Sequence, residues 1–268
     1  MNSRRIKNWF PPIVWNWLRF RFGGFRVVDI WPDLPASGWQ NAALEASKAY
    51  DEGVRRILEG QVIGVLPNED LLTLPDHLRD LHHRLTQFAL IVTRVANGSK
   101  GLELLDFGGG FGTHALVLKR LLPSLHANYT VCDLPEFCEI GKKLNHNIRF
   151  ISDLEQVDTV YQLIYASSSV QYVKDWKNLV ADLCKVSKGC IFITRTPFVF
   201  NQPSFITVQK AYRTEYHGWV FNFHEFVAEY SRYGMKLNEV LINDRGLPVK
   251  SGGENNIHLG LLFEKSGG

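Results

Sequence analysis

The segment Leu102 to Leu122 constrains this chain more than any other. It opens with a short apolar run, Leu102 to Phe107, of strand length, with Asp106 near its end. Gly108, Gly109, Gly110 and Gly112 follow, then Ala115, Leu116, Leu118, Leu121 and Leu122 at helical spacing, stopped by Pro123. The pattern predicts strand, glycine turn, helix. Glycine permits positive φ in a tight turn, and its missing Cβ lets backbone approach a ligand. The turn feeds a helix N-terminus, whose free N–H groups favour electron-rich ligand atoms. Tyr129 to Cys132 reads as the next strand, with Asp133 at its C-terminal end. An acidic residue there can accept both hydroxyls of a ribose, so the unit points to a nucleoside cofactor without choosing which one.

From residue 99 onward, strands and helices alternate. Strands are expected at 102–107, 129–133, 148–151, 161–166 and 189–194, and helices at 112–122, 135–145, 153–157, 175–186 and 223–233. Such alternation argues for a parallel sheet with right-handed crossovers and helices on both faces. The ending differs: Lys236 to Ile242 and Ile257 to Phe263 read as strands with no helix between them, which predicts an antiparallel terminal hairpin. Before residue 99 the pattern is helical. One helix is expected from Gly38 to Gly60, a strand-like stretch from Val62 to Leu66, and a second helix from Pro75-Asp76 to Asn97-Gly98. Leu78, Leu81, Leu85, Phe88, Val92 and Val95 give the second helix one apolar stripe. His77, His82 and His83 lie in it, where adjacent histidines diverge too far to chelate and a solvated face is the simpler reading. The expected division is a basic, aromatic arm over 1–28, a helical appendage over 29–98 that packs on the cofactor domain, and the domain itself over 99–268.

The chain has 268 residues and a net charge of +3, too small a positive charge to argue for a nucleic-acid partner. Its four cysteines, Cys132, Cys138, Cys184 and Cys190, form no CxxC and read as buried, reduced thiols. No Cys/His spacing points to a metal. No apolar run approaches the roughly 20 residues of a membrane span. Residues 1–28 are different: six arginines and lysines are interleaved with Trp9, Phe10, Trp15, Trp17, Phe20, Phe22 and Phe25, and no acid precedes Asp29. This composition suits peripheral contact with an anionic membrane surface, and an arm packed on its own domain is the alternative. The expected location is cytoplasmic, with the inner membrane face as the place of contact.

Asp106-x-Gly108-x-Gly110-x-Gly112 resembles the first motif of class I S-adenosylmethionine (SAM) methyltransferases. The resemblance continues through Val131-Cys132-Asp133-Leu134-Pro135, Phe150-Ile151-Ser152-Asp153, the run Ile164 to Tyr172, and Phe192 to Phe198. It implies an α/β, Rossmann-like sheet, mostly parallel and closed by an antiparallel hairpin, with SAM as cofactor. Asp133-Leu134-Pro135 also resembles the small-molecule O-methyltransferases, although their catalytic histidine after the fourth strand has no counterpart among Gln171, Tyr172 and Trp176. More narrowly, Trp9-Phe10-Pro11-Pro12, Arg195-Thr196-Pro197-Phe198, Phe205 to Gln209 and Phe221-Asn222-x-x-Glu225-Phe226 together resemble a bacterial family of methyltransferases associated with surface-polysaccharide gene clusters.

What the resemblance implies can be stated residue by residue. Asp106, Gly108, Gly110, Gly112, Asp133, Leu134, Asp153 and Ser167 are the cofactor-binding candidates. Several have plainer readings: Asp106 steadies the turn, Asp133 and Asp153 cap the helices that follow, and Ser167 ends a strand. The stretch 196–222 is the candidate acceptor lid, and its many aromatic residues suit either a pocket wall or ordinary packing. Gln171, Tyr172 and Gln209 are candidates for acceptor contact, and Arg195, His217 and His224 for catalysis. His114 either touches the cofactor or solvates the helix end. The expected activity is O-methylation of a small-molecule or glycan-linked acceptor. A nicotinamide oxidoreductase competes, because Gly110 to Ala115 satisfies the GxGxxA spelling. Asp106 on the first strand, the extra upstream glycines and the terminal hairpin stand against it. An inactive, SAM-binding scaffold in a biosynthetic complex is the third reading.

Overall fold

A computed structural model describes residues 26–30, 76–97, 99, 101–211, 214–244 and 254–266. Strand β1 (Arg26–Ile30) comes first and helix α1 (Asp76–Ala96) follows. Then β2 (Leu102–Phe107), α2 (Thr113–Leu121), β3 (Ala127–Cys132), α3 (Pro135–Leu144) and β4 (Arg149–Ile151) alternate. A short 3-10 turn (Leu154–Gln156) leads to β5 (Tyr161–Ser167), and a second (Val170–Tyr172) leads to α4 (Trp176–Val186). The chain closes with β6 (Ser187–Val199), β7 (Phe205–Ala211), β8 (Thr214–Asn222), α5 (Phe223–Ser231), β9 (Met235–Asp244) and β10 (Ile257–Lys265).

The main sheet runs in the order β4-β3-β2-β5-β6-β10-β9. Strands β2 to β6 are parallel, and β10 lies antiparallel between β6 and β9. From β2 the chain winds outward through β3 and β4, then returns to β5 on the other side. The gap beyond the C-terminal ends of β2 and β5 is therefore the switch point, where open α/β sheets receive ligands.

Both faces of the central strands are covered, which is why their sequences are apolar without alternation. Leu104, Leu163, Tyr165 and Phe192 pack on one face with Phe88 and Val92 of α1 and Leu118 of α2. Their strand neighbours Leu105, Ile164, Ala166, Ile191 and Ile193 pack on the other face with Trp176, Leu183 and Phe226. The α1 stripe behaves as its spacing predicts: Leu85, Phe88 and Val92 are buried, and Asn97 ends the helix at φ 37°. The side chains of Leu78, Leu81, His77, His82 and His83 lie outside the described residues, as do the helix expected over 38–60, the stretch 62–66 and the arm over 1–25.

Two features differ from the sequence reading. Strand β6 runs five residues beyond Thr194, and the stretch after it forms the hairpin β7–β8. This hairpin joins the sheet at the far end of β6, where Phe198 and Val199 pair in parallel with Phe221 and Asn222. Strand β1 adds to its outer side, pairing antiparallel with β7, so a strand crosses the division expected at residue 28. Second, the aromatic residues of 196–222 divide: Phe198 and Phe221 are fully buried and pack on Phe226 at 5.2 and 4.7 Å between ring centres. These two are core, not pocket wall. No described helix is long and apolar enough to cross a membrane.

Candidate functional site

The glycine turn sits where β2 ends at the switch point. Gly108, Gly110 and Gly112 all have left-handed backbone, at φ 73°, 58° and 81°. A Cβ on Gly108 would stand 2.3 Å from Ser169 Cβ, so only glycine fits beneath that residue. Gly110 is different: a Cβ there would meet nothing within 4 Å, so the turn has open space at its crest. Ser169 holds the turn from the β5 side by donating its hydroxyl to Phe107 O at 2.8 Å.

Asp133 meets the same turn from the end of β3. Its Oδ2 accepts the Gly110 N–H at 2.7 Å and its Oδ1 accepts the Leu134 N–H at 2.7 Å. Each oxygen keeps one further acceptor site, which is what two neighbouring hydroxyls need. Burial pushes the Asp133 pKa up, the two amide bonds pull it back, and the charge of Asp106 pushes it up again. Asp153 lies two residues beyond β4. It is exposed and its Oδ1 caps the 3-10 turn by accepting from Glu155 N at 2.9 Å, the capping role the sequence allowed.

Asp106 is fully buried at the end of β2. Its Oδ2 accepts the Tyr129 hydroxyl at 2.8 Å and lies 2.9 Å from Nδ1 of His114, in the first turn of α2. Its Oδ1 is buried with no partner among the described residues. Tyr129 keeps its proton because burial, then the charge of Asp106, holds its pKa well above 10. A Cβ on Gly109 would stand 2.5 Å from the Asp106 carboxylate, so this carboxylate lies against the underside of the turn.

Strands β5 and β6 supply the opposite wall. Ser167 pairs with Thr194 in register, and their hydroxyls share a bond at 3.1 Å. The next residue in each case, Ser168 just past β5 and Arg195 within β6, has left-handed backbone at φ 56° without being glycine. Such positions cost on the order of 1–3 kcal/mol and gather at functional sites. Gln171 ties them together. Its Nε2 donates to Ser168 Oγ at 3.2 Å and to Arg195 O at 3.4 Å. A backbone carbonyl only accepts, so this contact fixes the amide's orientation and leaves Oε1 buried without a donor among the described residues. The strained pair and its brace carry no sequence signal, because three serines after an apolar strand do not announce a backbone conformation.

The acceptor-side candidates come together in part. The hairpin leans on the Val170–Tyr172 turn: a Cβ on Gly218 would touch the Tyr172 ring at 3.3 Å, and Trp219 Nε1 donates to Lys174 O at 3.1 Å. Tyr172 is exposed beside it, and His217, partly buried, precedes Gly218. Gln209 pairs in register with Tyr216 on one side and Val27 on the other, and its side chain lies outside the described residues. His224 is exposed in the first turn of α5, with its ring against Phe223 and Phe200. The cysteines are free, with Cys132 and Cys184 pushed up to about 12 by burial, so they are neutral thiols.

No protein-family model matches this chain, and neither does any curated protein. Solved structures do. A magnesium protoporphyrin IX methyltransferase from Synechocystis PCC 6803, with bound SAM, is 10% identical at a TM-score of 0.55, over 84% of this chain and 97% of that one. A Burkholderia thailandensis 1,6-didemethyltoxoflavin-N1-methyltransferase, with bound 1,6-didemethyltoxoflavin and S-adenosylhomocysteine, is 14% identical at a TM-score of 0.52, over 91% of this chain and 100% of that one. The chain therefore has the Rossmann-like fold of SAM-dependent methyltransferases.

Proposed function

We propose that this chain is a SAM-dependent methyltransferase acting on an oxygen of a small-molecule or glycan-linked acceptor. The observation that carries the reading is the left-handed glycine turn, open at Gly110 and tied by the Gly110 N–H to Asp133. The fold shared with methyltransferases whose structures hold SAM or its product supports it.

When bound, SAM supplies an electrophilic methyl group on a sulfonium. The chain's own part is to hold and align. Asp133 accepts the ribose hydroxyls on the acceptor sites its amide bonds leave free. Gly108, Gly110 and Gly112 would let backbone lie close to the nucleoside, and Leu134, Asp153 and Ser167 are the further candidates for holding it. Asp106 would steady the turn from beneath or reach the amine of the amino-acid tail through water. Gln171, Tyr172 and Gln209 are the candidates for contact with the methyl acceptor, and the stretch 196–222 is the candidate for covering it. Arg195, His217 and His224 are the candidates for handling charge and the acceptor's proton, since a hydroxyl must lose one. The preference for oxygen rests on the resemblance of Asp133-Leu134-Pro135 to small-molecule O-methyltransferases. The basic, aromatic residues 1–28 hold the enzyme at the inner face of a bacterial membrane, where a glycan-linked acceptor of surface polysaccharide is within reach.

A crystal structure grown with S-adenosylhomocysteine tests the assignment. The expected result is the ribose within hydrogen-bond distance of Asp133 and the ligand lying across Gly108 to Gly112. Ligand density elsewhere, or none at saturating concentration, contradicts it.

A further inference from the structure

The two faces of the sheet are covered unequally. Helices α2 and α3 send Leu118 and Cys138 to one face, the face that α1 also covers. Neither contributes to the core on the opposite face, where β4 returns to β5 through residues 152–160 and a 3-10 turn in place of a helix. Leu154 and Val157 of that crossover pack on the apolar part of this face. The strand starts carry polar side chains there instead. Glu103 lies two residues before Leu105 and so shares its face, Asn128 pairs with Glu103, and Thr130 pairs with Arg149. The result is a crevice of about 440 Å³ at the N-terminal edge of the sheet, walled by Glu103, Asn128, Thr130, Arg149, Asp158 and Thr159. Its size lies in the range of small-molecule sites. The glycine turn is at the other end of β2, roughly 16 Å along the strand from Glu103 to Gly108.

The wall is built of bonded pairs with capacity to spare. Asn128 Nδ2 donates to Glu103 Oε1 at 2.6 Å. Arg149 donates one N–H to Asp158 Oδ1 at 2.6 Å and another to Gln156 O at 3.1 Å. Gln162 steadies the first pair, its Oε1 accepting the Glu103 N–H at 2.7 Å. A carboxylate accepts at about four sites and a guanidinium has five N–H donors, so each pair presents donors and acceptors side by side. The floor is hydroxylic: Thr130 is buried, and behind it the Tyr161 hydroxyl is fully buried with no complete hydrogen bond among the described residues. Burial pushes the Tyr161 pKa up, and Thr130, Arg149, Asp158 and Glu103 are the groups that act on it, so it is a neutral hydroxyl set among the residues of the wall.

The charges choose the class of ligand. Glu103 and Asp158 outnumber Arg149, which is already paired, so the wall disfavours an anion. Among the described residues no group of three His, Cys, Asp or Glu side chains could hold a metal ion. What remains is a neutral ligand that donates and accepts at neighbouring positions, as the vicinal hydroxyls of a sugar do. We propose that the crevice between the starts of β2, β3 and β4 and the 152–160 crossover binds a neutral sugar, with the Glu103–Asn128 and Arg149–Asp158 pairs each holding adjacent hydroxyls. The inference does not rest on the SAM reading, and a sugar held there leaves the C-terminal edge of the sheet open.

The test is backbone-amide NMR of the full chain, titrated with glucose, galactose and mannose and, separately, with sodium phosphate. Each probe is taken to about 50 mM, which detects affinities down to the millimolar range. At least one sugar is expected to shift the amides of Glu103, Asn128, Arg149 and Thr159 saturably. Glu103→Ala and Arg149→Ala should each weaken that sugar about fivefold or more, the scale of one lost hydrogen bond, while amides away from the crevice keep their wild-type positions. Glu103→Gln and Arg149→Lys, which keep the side-chain length, replace an alanine variant that fails to fold and should also weaken the sugar. No saturable shift with any of the three sugars, or shifts confined to other residues, overturns the inference. So does a response at the crevice that both variants leave unchanged, or phosphate moving these amides more strongly than every sugar, the mark of an anion site. No nucleoside enters these titrations, so their outcome leaves the SAM reading untouched.

Discussion

Gly108 is the residue at which shape and ligand binding are least separable. Its backbone is left-handed and its Cα faces Ser169, which is anchored by its own hydroxyl to Phe107 O. Gly108→Ala adds a Cβ in a conformation that costs about 1–2 kcal/mol for an L-residue, before any clash. Urea denaturation is expected to show a loss of at least that size, with S-adenosylhomocysteine affinity falling as well. Asp133 is the residue at which pH enters. Its folded-state pKa is raised, chiefly by burial, so it takes up a proton at a higher pH than an ordinary carboxylate near 3.8. A protonated carboxyl gives up an acceptor site that a ribose hydroxyl needs. Ligand affinity should therefore decline on acidification before the ordinary carboxylate range is reached. Folding stability has the opposite sign: protonating a group with a raised folded pKa relieves a cost, so acidification through that pKa does not destabilise the fold through Asp133. Titrations across pH 4 to 7 read the first effect, and Asp133→Asn should flatten the profile. A profile of identical shape in that variant would place the titrating group elsewhere.

At the scale of elements, Asn222 shows how the hairpin is fixed to the domain. Its Oδ1 accepts from His224 N and Glu225 N and so caps α5, while its Nδ2 donates to Phe200 O and Gln202 O in the loop before β7. One side chain thus joins the end of β8, the start of α5 and the loop that enters the hairpin. Asn222→Ala removes the cap, worth about 0.5–2 kcal/mol, and leaves two loop carbonyls to find water. Thermal unfolding should shift down accordingly, while nucleoside binding, which lies at the other strand ends, should stay close to wild type. The sequence made some elements legible and not others for a physical reason. β2, α2 and β3 were readable because their signals are local: an apolar run, a glycine turn, an apolar stripe and a proline stop. The hairpin was not, because its place in the sheet is set by partners distant in sequence, with Val27 opposite Gln209 and Phe198 opposite Phe221. Its aromatic residues also gave no strand period, since some fill the core and some do not. The left-handed Ser168 and Arg195 were invisible for the same reason, being held by Gln171 across a gap that only folding closes.

At the scale of the whole molecule, one sheet brings two groups of candidate residues together. The parallel strands bring Asp106, Asp133 and Ser167 to a common edge, and the extension of β6 beyond that edge carries the hairpin against the Val170–Tyr172 turn. On the proposed reading, nucleoside binding falls to the sheet and the acceptor to the hairpin. A ligand bound across β2, β3 and β5 should stabilise the chain as a unit, by about 2.7 kcal/mol at a hundredfold excess over its dissociation constant. Thermal unfolding should therefore rise with S-adenosylhomocysteine and stay unchanged with NADH. The measurement that tests the central claim most directly is calorimetric titration of the wild-type chain and of Asp133→Ala with S-adenosylhomocysteine and, separately, with NADH. The account predicts saturable binding of S-adenosylhomocysteine that Asp133→Ala loses, and no binding of NADH. Binding of NADH alone, or of neither nucleoside, would contradict it.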